Sequence, residues 1–249
     1  MKSIKSKSIA FLVHLIISVF VIAAFLLFLK LFWYQDIFFE LENVWEGLKI
    51  LIIVDAILGP LLTFIVYLPG KKSLKFDLST IAVLQLLALI YGGHLIYHQR
   101  PAVLAFVGDR FEVLAASEPV VEGLPNSHFD GLSFNYPAIT YALPATSDKE
   151  RTDFIFNNVQ YSKIAERHRP IRDHIEILAK SSLNIDQLTP KSPKSEKSLQ
   201  EFISESQNKE YLLLPLQGTN GNAMVIAISV SDTNVLGYIR IDPWKEYQR

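Results

Sequence analysis

The chain has no cysteine among its 249 residues. Disulfides, cysteine-based zinc sites, iron–sulfur clusters and thiol nucleophiles are therefore excluded. Charge is also scarce. Asp, Glu, Lys and Arg make up 20% of the residues, against about a quarter in soluble globular domains. The shortfall lies at the front: residues 1–97 hold 8 Lys/Arg and 6 Asp/Glu, while residues 98–249 hold 16 and 19. The front half thus excludes a wholly soluble protein, and the ordinary back half excludes a fully polytopic transporter. With no basic surplus to neutralise phosphates, a nucleic-acid partner is not expected. The Gly-x-Gly-x-x-Gly, Walker A, His-Glu-x-x-His, Gly-x-Ser-x-Gly and EF-hand patterns are all missing. His168 and His174 are six apart, too far for one helical turn to bring to a metal, and His98 and His128 are isolated. No catalytic residue, metal or cofactor is expected, and the chain does not read as an enzyme.

What replaces charge at the front is apolar length. A bilayer core about 30 Å thick needs about 20 apolar residues in a helix. Residues 9–29, 48–68 and 78–97 qualify, so 1–97 is read as a three-span anchor and 98–249 as a separate domain. The first run is too long for a signal-peptide core of about 7–15 residues and no small-residue cleavage site follows it, so it reads as a retained anchor. Lys2, Lys5 and Lys7 precede the first span, and Lys71, Lys72 and Lys75 lie between the second and third. The positive-inside rule then puts the N-terminus and the second loop in the cytoplasm, and everything after Tyr97 outside. In a bacterium with two membranes the domain is periplasmic and the anchor sits in the inner membrane. Trp33, Tyr34 and Trp45 fall where an outer aromatic belt belongs. Phe38, Leu41 and Trp45 have helical spacing, predicting a short interfacial helix in the first loop.

Ionisable residues within spans are costly and mark function or packing. Asp55, counted from Leu48, lies about 10 Å below the outer edge. Gly59 and Thr63 follow at i+4 and i+8, making a small, polar stripe on one helical face. Pro60 lacks an N–H and, in an α-helix, frees the carbonyl of Ala56, which predicts a kink near Asp55. On the third span Gly92, Gly93 and His94 come to a similar depth, so an Asp55–His94 contact is geometrically available. Gln85 and the His14/Ser18 pair lie nearer the other side and can face each other. The stripe either packs the chain's own helices or docks a foreign one.

The outer half reads as α+β. Gly108-Asp109 between the apolar runs of 101–115 signals a hairpin. Adjacent residues in a strand point to opposite faces, so Asp109 and Arg110 are a turn residue and a salt-bridging arginine rather than a catalytic pair. Residues 116–148 read as irregular, with room for a short strand. Helices are predicted over 149–168, ended by Pro170, over 172–183 and over 199–206, with 189–198 a solvated low-complexity loop. Residues 211–217, 223–230 and 235–242 form an antiparallel β-meander in which Pro215 marks an edge or bulged strand.

Several pieces combine into a pattern: Asp55, Gly59, Pro60 and Thr63 within 54–66; Pro69 to Lys72 in 69–78; Gln85; Tyr91-Gly92; Arg100-Pro101; Asp109-Arg110-Phe111; and Pro243-Trp244. In these the chain resembles the type IV pilin accessory proteins of the TfpX/TfpZ group, most strongly over 54–111. The resemblance implies an inner-membrane, non-enzymatic protein for type IV pilus biogenesis, accompanying a major pilin and other assembly proteins during assembly or retraction. It carries no established site roles. It places the group's pattern on Asp55, Gly59, Pro60, Thr63, Arg100, Pro101, Asp109 and Arg110. Independently of the resemblance, the depth and polarity of the Asp55 stripe lead us to expect that a pilin N-terminal amine or membrane-buried polar group could meet it. The competing reading is a membrane-anchored periplasmic sensor or ligand-binding module; with only short cytoplasmic segments, it would need a separate signalling partner.

Overall fold

The chain divides into two units, Met1–Phe39 with Asn43–His98, and Glu40–Glu42 with Gln99–Arg249. The computed structural model describes residues 2–124 and 137–248, so His128 and the matching part of the expected loop 116–148 lie outside the described residues.

The first unit holds three helices long and apolar enough to cross a membrane: Ile4–Trp33, Val44–Val66 and Leu74–His98. The first and third outrun their expected stretches at both ends, while the second begins four residues earlier than expected and ends two earlier, at Val66, where Tyr67 turns extended. Asn43 adopts the left-handed region at φ 49° just before the second span, and Gly70 does so at φ 85° after it. The expected loop helix is a single turn, Phe38–Leu41. Trp45 belongs instead to the second span and is half exposed. Tyr34 is buried within the bundle, not in a belt, and its hydroxyl donates to the Ile96 carbonyl at 2.8 Å. Trp33 packs on Tyr97 with ring centroids 4.9 Å apart.

The second unit is a seven-stranded mixed sheet with short helices. Its strands are β1 (Pro101–Val107), β2 (Arg110–Ala115), β3 (Ala138–Ala142), β4 (His168–Pro170), β5 (Tyr211–Gln217), β6 (Ala223–Ser229) and β7 (Val235–Ile239). The order is β4-β3-β1-β2-β5-β6-β7. The β1–β2 hairpin turns at Gly108, φ 65°, and the β5–β6–β7 meander is antiparallel. The two halves join through a short parallel pairing of β2 with β5, limited to Phe111 with Leu216 and Glu112 with Gln217. Pro215 therefore sits in an interior strand, not at an edge. The β2 ladder stops one residue short of it, so its missing N–H breaks no bond there.

Two helices depart from expectation. The helix Asp148–Phe156 ends well before 168, because Asn158 turns left-handed at φ 51° and short 3₁₀ turns follow. Residues 193–198, expected as loop, open the helix Pro193–Glu205 instead. Ser192 caps it by accepting from the Ser195 N–H, and Pro193 occupies the first turn, where a missing donor costs nothing. Phe202 of this helix joins Leu213, Val225, Ala227 and Ile239 in the core of the meander. A second apolar cluster, with Val103, Ala105, Leu114 and Val120, forms around the hairpin.

Glu40–Glu42 is bonded into this second unit. Glu40 pairs with Lys194 at 2.6 Å and Arg240 at 3.2 Å. Glu42 accepts from the Thr219 N–H at 3.2 Å and from its hydroxyl. Burial pushes the Glu42 carboxyl above its ordinary value, and the Thr219 bonds pull the other way.

Three outcomes follow for the second unit. Leu213→Ala, at a site 1% exposed, is expected to cost about 2–5 kcal/mol in denaturant unfolding. Ile155→Ala, at a site 73% exposed, should stay within about 0.5 kcal/mol. Because the folded pKa of Glu42 is raised, the folded state binds the extra proton between the unfolded value near 4.5 and the folded one. Glu42 therefore lowers stability as pH rises through that window. Glu42→Gln should gain stability relative to the parent as pH goes from 4 to 8, as read by melting curves across that range.

Candidate functional site: a polar cluster at mid-span

The second span runs Val44–Val66, so Asp55 is its middle residue, about 16 Å from either end at ~1.5 Å per residue. This replaces the shallower depth expected when the span was counted from Leu48. Asp55 lies in a π-helical stretch, Ile53–Leu58, where the Gly59 N–H reaches back five residues to the Val54 carbonyl. The next carbonyl in that register is that of Asp55, and its partner would be the nitrogen of Pro60, which carries no hydrogen. The carbonyl freed is thus that of Asp55, not of Ala56 as α-helical spacing implied.

That carbonyl is satisfied from another helix. Gln85 of the third span donates its Nε2 to Asp55 O at 3.2 Å. Gln85 Oε1 then faces His14 Nε2 of the first span at 2.8 Å, and His14 Nδ1 faces Thr63 Oγ1 at 2.6 Å. The directions follow from the start of the chain of bonds. Gln85 gives its amide to the carbonyl and His14 gives Nε2–H to Gln85, while the Thr63 hydroxyl can serve His14 Nδ1 as donor or acceptor. The relay ties all three spans together in a setting where water is not available to replace it.

Gly59 leaves room for this. A Cβ built there would meet the Gln85 side chain, with its carboxamide carbon at 2.6 Å. Asp55, Gly59, Pro60 and Thr63 are all buried, so the stripe expected from i, i+4, i+8 spacing exists and is covered by the chain's own helices. Gln85 and His14 do face each other, at the level of Asp55 rather than on the other side. His94 is exposed, its ring 4.3 Å from that of His98. It lies nine residues beyond Gln85, about 13 Å along the helix, and so does not meet Asp55. Gly92 and Gly93 face Leu51 and Phe25.

In the outer domain Arg110 Nε pairs with Asp109 at 2.8 Å, as expected of a turn residue and its salt-bridging neighbour. The guanidinium also lies over Trp244 at 5.1 Å and reaches Gln217 at 3.4 Å, so it links the hairpin to β5 and the C-terminal segment. Arg100 precedes β1, and its carbonyl accepts from Ala116 N at 2.9 Å. His168 is fully buried, bonded to Thr140 Oγ1 and the Ser162 carbonyl, both at 2.8 Å. His174 stacks on Tyr141 at 4.2 Å. Among the described residues no three His, Asp or Glu side chains gather as metal ligands. Sequence reasoning missed the His14–Thr63 bond; the one available signal was that both are lone polar residues in apolar runs.

The chain is 32% identical over 129 residues to a fimbrial assembly protein, serogroup I, of Dichelobacter nodosus, covering 50% of this chain and 49% of that protein. It is 33% identical over 130 residues to the serogroup E1 fimbrial assembly protein of the same organism, with 50% and 49% covered. To the fimbrial assembly protein of serogroups C1 and C2 it is 31% identical over 120 residues, 46% of this chain and 89% of that protein. The chain spans about half the length of the first two relatives. No protein-family model matches it, and no solved structure does.

Interhelical hydrogen bonds in membranes contribute about 0.6 kcal/mol on average and up to ~1.7. His14→Leu and Gln85→Leu should each lower bundle stability by that order in lipid bicelles. Gly59→Leu should cost more than either, because it displaces Gln85 bodily.

Proposed function

This chain belongs to the fimbrial assembly protein family, and from that premise we propose that it is an inner-membrane accessory protein of type IV pilus biogenesis. The observation that carries the reading is the similarity across 89% of the fimbrial assembly protein of serogroups C1 and C2. Within the family the reading places it with the type IV pilin accessory proteins of the TfpX/TfpZ group.

Three apolar helices supply the anchor. The lysines before the first span and between the second and third favour a cytoplasmic N-terminus, and with it a periplasmic C-terminal domain. A protein with this layout reaches a membrane-held client at two levels, through its spans and through its outer domain. The client is the cognate major pilin, alone or with other assembly proteins, engaged during assembly or retraction. The work is binding and positioning rather than catalysis.

A strain lacking this chain should show a changed number of surface pili at unchanged pilin expression, restored by the intact gene. The major pilin should co-purify with the tagged chain from gently solubilised membranes. Pili in normal number together with no retained pilin would overturn the reading.

A further inference from the structure

The first and third spans each pack on the second, and between them a cleft of about 250 Å³ opens onto Asp55. Its walls include Ser18 and Val21 of the first span and Ala82 and Leu89 of the third. Its floor holds the Asp55 side chain, which is 5% exposed and whose Oδ1 has no hydrogen-bond partner. A carboxylate at mid-span with an unbonded oxygen is expensive, and such residues face cavities and pair with one another, with backbone or with a ligand. The relay takes the Asp55 carbonyl, the Gln85 side chain also hydrogen-bonds the carboxylate, and Oδ1 alone is left over.

We propose that this cleft is a binding site for a long cationic side chain, lysine or arginine, carried near the midpoint of a partner's membrane-spanning helix. Depth selects the source. Asp55 is about 16 Å from either end of its span, beyond lipid headgroups or a chain terminus at the interface. This excludes the interfacial amine as occupant. Charge selects the chemistry: the lysines of the anchor lie toward the helix ends, Lys49 is paired with Glu46 at 2.6 Å, and His14, the basic side chain lining the cleft, has both ring nitrogens bonded to Thr63 and Gln85. Shape selects the length. Ile17 and Leu86, both beside the cleft, are 56% and 55% exposed while Asp55 is sunk between them, so a short serine or threonine would stop above it. A cavity of 150 Å³ already takes a benzene ring, so this one accommodates a single long side chain but not a helix. The helix therefore lies against the outside of the first and third spans and sends one side chain in. The inference stands apart from the fimbrial reading, because it concerns which helices this anchor accepts and its test uses synthetic ones.

The full chain is reconstituted in phosphatidylcholine nanodiscs with a photocrosslinking phenylalanine at Leu86, or at Ile50 as an outward-facing control. Two probes are offered: a polyleucine spanning peptide with one central lysine, and its all-leucine twin. The lysine peptide should crosslink at least tenfold more than the twin from position 86, and no more than the twin from position 50. Asp55→Leu should erase the preference. Ala82→Phe, an exposed position whose new ring narrows the cleft with the carboxylate still in place, should erase it as well. Equal yields for the two peptides in the parent chain, or a preference that survives both substitutions, overturns the proposal.

Discussion

A proline that cannot donate a hydrogen bond sets the terms for the membrane half of this molecule. Pro60 follows a π-helical turn, so the Asp55 carbonyl is left without its backbone partner in the middle of an apolar helix. In water such a gap would be filled by solvent. Here it is filled by Gln85, and filling it commits Gln85 Oε1 to His14 and His14 to Thr63. Three helices that share no apolar driving force in lipid are thereby given a defined register. Gly59 is part of the same arrangement, because a side chain there would occupy the place of Gln85.

The polar residues of the anchor thus divide by role. The Asp55 backbone, Thr63, His14 and Gln85 hold the bundle. The Asp55 carboxylate is reached by the Gln85 side chain, while its Oδ1 is unbonded and lines a cleft between the first and third spans.

The sequence disclosed the spans because 1.5-Å helical rise and bilayer thickness leave few alternatives, and it disclosed the Asp55–Gly59–Thr63 face because i+4 spacing is geometric. It misplaced depth, because residues 44–47, with Glu46 and Gly47 among them, were counted out of the second span. It also missed the orphan carbonyl by one residue, since a π turn leaves no mark in hydrophobic periodicity. In the outer domain Gly108-Asp109 and the alternation in 211–239 located the hairpin and meander. The charged run at 193–198 concealed a helix start, because solvated lysines and serines look alike in a loop and in the exposed first turn of a capped helix; Ser192-Pro193 was the legible signal. The early stop after Phe156 was less legible, since it rests on a left-handed Asn158 that only the backbone reveals. The parallel pairings of β1 with β3 and β2 with β5 are long-range and had no local signature.

The dependence of the bundle on Pro60 is open to a double-mutant cycle in lipid bicelles. Pro60→Ala returns an N–H to the second span and gives the Asp55 carbonyl a partner of its own. Removing the Gln85 amide by Gln85→Leu should then be less damaging in the Pro60→Ala background than in the parent, with a coupling of about 0.5–2 kcal/mol. Strictly additive losses would mean that Gln85 and the orphan carbonyl do not depend on one another, and would contradict the account.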